Sequence, residues 1–168
     1  MFQALQVVAI LLVSAAMALA LAHALEYPGK LRLNKEAYMT TQQIYYPGFT
    51  FGGLAEGFSL VVMLLLTIVT PRGSAIHWLT LGAFVAMVCM HAVYWLVTHP
   101  VNKFWLKDVE LKGAGRSLFA FDLLGRAQDG AVPDWTALRD QWEISHIVRA
   151  ILSVLALAML ATAVVLER

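Results

Sequence analysis

The chain has 168 residues, of which 60% are hydrophobic and only 14% charged, with a net charge of +1 and a mean hydropathy of +0.71. Soluble domains carry roughly 25% charged and 45–50% apolar residues, so the composition excludes an ordinary soluble domain and points to an integral membrane protein. No basic block or aromatic-basic interleaving suggests nucleic acid as a partner.

The first apolar run, Phe2 to Leu25, is broken only by Gln3, Gln6, Ser14 and His23. Ala22-His23-Ala24 resembles a small-x-small cleavage site, but no Lys or Arg precedes the run, so it reads as a retained helix rather than a signal peptide. Pro28-Gly29 is expected to break this helix, and Asn34 to cap a short helix through Tyr45. The second run, Phe49 to Thr70, carries a single charge, Glu56. Gly48, Gly52, Gly53 and Gly57 surround that charge at small-xxx-small spacings that permit close helix approach. Thr70-Pro71-Arg72-Gly73 is a tight turn. The third run, Ser74 to Thr98, contains His77, His91 and the one cysteine, Cys89, which reads as a small buried hydrophobe.

Val101 to Gln141 is the longest connection. Its mixture of Phe104, Trp105, Val109 and Leu111 with Lys103, Lys107, Asp108, Glu110 and Lys112 suits an interfacial segment. Pro133-Asp134 starts a long final helix, whose apolar part runs from Ile144 to Leu166 and carries His146 and Arg149. Each run approaches the ~20 residues needed to cross a ~30 Å hydrocarbon core, and backbone in lipid must be helical when barrel alternation is absent. The expected fold is therefore all-α: an integral membrane, up-down four-helix bundle, one domain over 1–168, with helices near 2–25, 49–70, 74–98 and 134–167.

Lys30, Arg32 and Lys35 lie in the first long loop; Lys103, Lys107, Lys112, Arg116, Arg126 and Arg139 lie in the second. The positive-inside rule places both long loops in the cytoplasm and both termini outside, with a bacterial inner membrane as the expected location.

That topology gathers the ionisable groups at one end. His23 and Glu26 close the first helix, Glu56 opens the second, His99 closes the third, and Glu143 and His146 open the fourth. His91 lies about 12 Å deeper than His99 at 1.5 Å per residue and reads as a packed polar residue. His23-x-x-Glu26 and Glu143-x-x-His146 each present an imidazole and a carboxylate from adjacent turns. Carboxylate-bridged di-iron bundles use Glu-x-x-His on two helices and a Glu from each of the others, whereas here one motif runs in reverse and His99 stands in place of one carboxylate. His23, Glu26, Glu56, His99, Glu143 and His146 are thus candidate ligands for non-haem iron or another transition metal, singly or as a pair. Haem b held by two of His23, His99 and His146 is an alternative, as is no cofactor. Arg149 is expected to neutralise a buried carboxylate or fix a substrate oxygen, with Glu56 and His146 as its catalytic companions. Tyr27, Tyr38, Tyr45, Tyr46, Trp105 and Trp142 fit an interfacial belt, or the walls of an aromatic substrate pocket.

Four stretches together resemble one family: His23-Ala24-Leu25-Glu26-Tyr27-Pro28-Gly29-Lys30, Tyr45-Tyr46-Pro47-Gly48-Phe49, His99-Pro100-Val101-Asn102-Lys103, and Trp142-Glu143-x-x-His146-x-x-Arg149. They look like the anthrone-oxygenase-like family of small bacterial and fungal membrane proteins, the first two matching a bacterial subset. The resemblance implies a four-helix membrane protein and, for the named members, oxygenation of a polycyclic phenol to a quinone. That chemistry can also proceed by substrate activation of oxygen without a metal. The expected function is a membrane oxidoreductase or oxygenase acting on a lipophilic aromatic or quinone-like compound. A non-catalytic small subunit of a membrane complex and a haem-binding electron-transfer protein are the alternatives, and the lipid bilayer, a homo-oligomer or a larger complex the expected partners.

Overall fold

The computed structural model describes residues 2–46, 48–105 and 134–167. Described in chain order, α1 is Phe2–Lys30, α2 Lys35–Gln43, α3 Gly48–Gly52, α4 Leu54–Val69, α5 Ala75–Val93, α6 His99–Trp105 and α7 Trp135–Leu166; a π turn, Tyr94–Thr98, joins α5 to α6. The described residues are all-helical, and four spans are long and apolar enough to cross a bilayer: Phe2–Lys30, Gly48–Val69, Ala75–Asn102 and Trp135–Leu166. Helix α1 packs on α4 and α7, and α5 packs on α4 and α7. The interfacial segment expected beyond Trp105 lies outside the described residues.

Small residues make this packing possible. Ala9, Val13, Ala16 and Ala20 form a buried stripe on α1, and Ala150, Ser153, Ala156, Leu160 and Ala163 form one on α7. In lipid, helices associate through close packing of such residues rather than through expulsion of water. Met63 and Leu66 of α4 and Ala83, Met87 and Met90 of α5 complete the core. Buried hydroxyls bond their own helix: Ser59 to the Glu56 carbonyl, Thr67 to that of Met63, Thr80 to that of Ile76. The polar residues continue these same stripes. His23 lies three residues beyond Ala20, and Arg149 and His146 precede Ala150 and Ser153 at helical spacing. What turns them inward is the face that buries the core.

Three boundaries differ from expectation. Helix α1 does not stop at Pro28-Gly29; it runs through Pro28 to Lys30. Pro28 forfeits one backbone bond, but the extra turn carries the Lys30 ammonium to 3.0 Å from Glu26 and 3.5 Å from Glu143. The second span divides at Gly53, where α3 gives way to α4. Of Gly48, Gly52 and Gly57, Gly52 is the close-approach site: a Cβ there would fall 2.6 Å from Leu19 Cδ1, whereas Gly48 and Gly57 have nothing within 4 Å. The third span passes the expected end at Thr98 and continues through Pro100. A proline ring collides with the carbonyl four residues back; the π turn before it, in which the His99 N–H bonds the Tyr94 carbonyl, widens the helix there. The sequence-based starts hold elsewhere: Asn34 accepts from Ala37 N and caps α2, Asp134 accepts from Thr136 N and caps α7, and Gly73 adopts φ 83° in the interhelical turn.

An aromatic cluster closes one end of the helices. Tyr38, Tyr45, Val101, Trp105 and Trp142 are buried together there, with Phe49, Phe104, Trp135 and Leu138 against them. The belt reading therefore fails for Tyr38, Tyr45, Trp105 and Trp142, which point inward. On α7, twenty residues separate His146 from Leu166, about 30 Å at 1.5 Å per residue, the thickness of the hydrocarbon core. The cap and the residues beneath it lie at one end of a helical length that matches that thickness.

Candidate functional site

Beneath the aromatic cap is a cavity of about 450 Å³. It is lined by residues of α1, the α2–α3 region, α4, α5 with its π turn, α6 and α7, including His23, Glu56, His91, His146 and Arg149. The ends of the four spans thus do converge, as the spacing of ionisable groups anticipates.

Glu56 is the hub of the deeper half. Its Oε2 accepts from Arg149 Nη2 at 2.6 Å and its Oε1 from His91 Nδ1 at 3.0 Å. Trp95 Nε1, which can only donate, reaches His91 Nε2 at 2.9 Å. The His91 proton therefore sits on Nδ1, and His91 is a neutral link between Trp95 and Glu56. The single negative charge of Glu56 is matched by Arg149, whose guanidinium also lies 5.1 Å from the Tyr94 ring centroid. Each Glu56 oxygen takes one of these partners, so Glu56 anchors Arg149 on one side and His91 on the other.

Arg149 in turn fixes His146. Its Nη1 lies 3.2 Å from His146 Nδ1, and because guanidinium offers donors only, Nδ1 must accept and Nε2 must carry the proton. His23 stacks beside His146 with ring centroids 4.1 Å apart, and Tyr45, Phe49 and Trp142 enclose the pair at 4.4, 4.7 and 4.8 Å from His23.

A second charge cluster lies alongside. Glu143 is fully buried and accepts from the Tyr38 hydroxyl at 2.8 Å. Lys30, itself buried, is ion-paired to Glu26 and Glu143 and lies 4.8 Å from the ring centroids of Tyr45 and Trp142. Tyr45 donates to Glu26. Burial first, then the charge and hydrogen bond of Glu143, hold the Tyr38 phenol well above its ordinary 10.0; burial and the Glu26 bond do the same for Tyr45. Both phenols stay neutral.

The six candidate metal ligands do not form one ligand set. Among the described residues no three of His, Cys, Asp or Glu come together around a point. Glu26 and Glu143 are turned to Lys30, Glu56 to Arg149 and His91, and His99 packs against Trp95 and Tyr94 at centroid distances of 4.8 and 5.7 Å. The haem arrangement does not fit His23 and His146 either: rings 4.1 Å apart leave no space for a porphyrin between two axial nitrogens.

Comparison of the chain with protein-family models, with curated proteins and with solved structures finds no match. Chemical meaning has to come from the site itself.

Several nitrogens at the cavity are buried and, among the described residues, without a hydrogen-bond partner: His23 Nδ1, Gln42 Nε2, Trp105 Nε1, His146 Nε2 and Arg149 Nε. All five residues line the cavity and are 7% exposed or less. Four of the five are donors on the assignments above. Buried donors without partners are costly, and here they surround a space otherwise walled by Leu19, Phe49, Phe58, Val61 and aromatic rings.

Lys30, Gln42, His91, Tyr94 and Trp95 are site residues that the reading of the sequence misses. Lys30 is counted there among loop charges, although its spacing of four from Glu26 marks a helical ion pair. His91 is read as a packed polar residue. Depth alone pairs it with Glu56, each being seven residues, about 10 Å, from the same end of its apolar run (Phe49 and Thr98).

Proposed function

We propose that this chain is a multi-pass membrane protein, an up-down bundle of four helices, that binds a lipophilic compound with an oxygen-bearing ring (a phenol, quinol or quinone) beneath its aromatic cap and acts on it as an oxidoreductase. The observation that carries the reading is the set of unpartnered buried donors around an apolar cavity. Apolar walls with a few converging polar groups are the usual build of a small-molecule site, and donors without acceptors call for a ligand that brings oxygen lone pairs.

The residues divide the work. His146 Nε2–H, Arg149 Nε–H, Trp105 and Gln42 bind and orient ligand oxygens. His23, the imidazole that no arginine locks into one tautomer, exchanges the ring hydroxyl proton, and Glu26, 3.9 Å from His23 Nδ1 and with a side chain 41% exposed, passes it to water. Arg149 stabilises negative charge developing on the ligand oxygen, and Glu56 with His91 keeps the guanidinium in place. Dioxygen is the oxidant by analogy with the family that the four motifs resemble. The lysine- and arginine-rich connections lie on the cytoplasmic side in this reading, with the termini opposite.

Fluorescence of the cavity tryptophans, Trp95, Trp105 and Trp142, supplies the test. Purified protein in lipid nanodiscs is expected to show saturable quenching by a benzoquinone or naphthoquinone, weakened about tenfold or more by His146→Phe, the worth of one charge-assisted or buried hydrogen bond. Quenching that rises linearly with quinone and is unchanged in the variant overturns the reading.

A further inference from the structure

The cavity has two unlike ends. The polar end is closed by His146, Arg149 and the aromatic cap. The other is rimmed by Leu54, Phe58 and Val61 of α4, which line the cavity and yet are 58, 62 and 58% exposed. They are the upper part of a stripe that continues down α4 through Leu65 and Ile68, both exposed, on one face of the helix. From Leu54 to Ile68 the stripe is about 21 Å long at 1.5 Å per residue. Helix α4 belongs to a span apolar enough to cross a membrane; in a bilayer this exposed apolar face meets hydrocarbon, and the cavity-lining residues exposed on it put an opening of the cavity on that face.

We infer that the ligand is a tailed lipid: an oxygen-bearing ring seated against His146 and Arg149, with a long hydrocarbon or isoprenoid chain leaving past Phe58 and Val61 along α4 into the bilayer. A compact polycyclic phenol would use the polar end and leave the mouth without a function. Gly57, which lines the cavity and lies on the same face as Leu54 and Val61, supports the passage, since a Cβ at that position meets nothing within 4 Å. This inference rests on the ring-binding reading above and adds the chemical class of the substrate to it.

The test compares two probes with one ring, 2,3-dimethoxy-5-methyl-1,4-benzoquinone and its 6-decyl derivative, binding the full chain in phosphatidylcholine nanodiscs. Affinities are expressed per mole of lipid, so that partition of the tail into the bilayer is removed. The decyl compound is expected to bind about tenfold more tightly. Val61→Phe narrows the mouth at an exposed position and is expected to weaken the decyl compound about tenfold more than the ring-only probe. Equal affinities for the two probes, or equal weakening of both by Val61→Phe, overturn the tailed-lipid inference and leave the ring site standing. Absence of saturable binding by either probe overturns both.

Discussion

The pairing of Glu56 with Arg149 makes a quantitative demand on the fold. Both side chains are buried, 6 and 8% exposed, and joined at 2.6 Å. Replacing Arg149 by Met leaves a carboxylate in a low-dielectric interior with one neutral donor, His91, and removes the group that orients His146. Breaking a buried pair from one side costs about 3–5 kcal/mol. Removing His91 with Leu takes away one hydrogen bond to the charged carboxylate and costs about 1.5–3 kcal/mol. The double variant Glu56→Gln with Arg149→Met leaves no buried net charge, and is expected to recover at least about 2 kcal/mol relative to the sum of the two single changes. Reversible unfolding in mixed micelles, followed by tryptophan fluorescence, reads the wild type, the three single variants Arg149→Met, Glu56→Gln and His91→Leu, and the double variant. The reasoning is refuted if the single and double costs add, or if His91→Leu destabilises as much as Arg149→Met. Either outcome makes the ion pair an incidental contact.

Other consequences are open to direct measurement. Gly57→Phe fills open space at the cavity, so quinone quenching is expected to vanish while unfolding free energy changes by less than about 1 kcal/mol; loss of binding together with collapse of stability contradicts the cavity assignment. Lys30→Met leaves fully buried Glu143 without its cation and is expected to cost about 3 kcal/mol, whereas Glu26→Gln, at a side chain 41% exposed, is expected to cost under about 1 kcal/mol. Tyr38 and Tyr45 hold their protons above the ordinary 10.0. Ultraviolet difference titration should therefore show at least two of the five tyrosines ionising only on unfolding. Their contribution to stability is full below pH 10 and is lost as pH rises above it, because only the unfolded chain releases those protons there; early ionisation of all five contradicts the buried geometry.

The sequence is legible wherever one physical requirement dominates. Runs long enough for a bilayer gave four spanning helices, and Asn34, Asp134 and Gly73 gave their caps and turn. His23, Glu56, His146 and Arg149 line one cavity, and a count of residues along the four apolar runs puts them near one another. What each group touches did not follow. A spacing such as Glu143-x-x-His146 fixes a shared helix face, but Glu143 turns to Tyr38 and Lys30 while His146 turns to His23 and Arg149. Those choices depend on which neighbour offers a cation, and Lys30 arrives there only because α1 tolerates Pro28 for one more turn. His91 was obscured for a similar reason: an isolated imidazole in an apolar run has no local partner, and Glu56 is 35 residues away.

The π turn at Tyr94–Thr98 sets the alignment of everything beyond it. A regular helix advances each residue by 100° around its axis, since 3.6 residues complete a circle; the π turn carries surplus residue length within one circuit, which lets the consecutive Tyr94 and Trp95 both face the cavity. Excising one residue from it, Val97 for instance, would restore an unbroken α-helix and swing His99, Asn102 and Trp105 by about 100°. Asn102 would then release the Trp142 indole, which it now holds at 2.7 Å, and the roof over His146 would come away from its wall. The aromatic lid and the membrane helices are thus kept in phase by the length of a single residue.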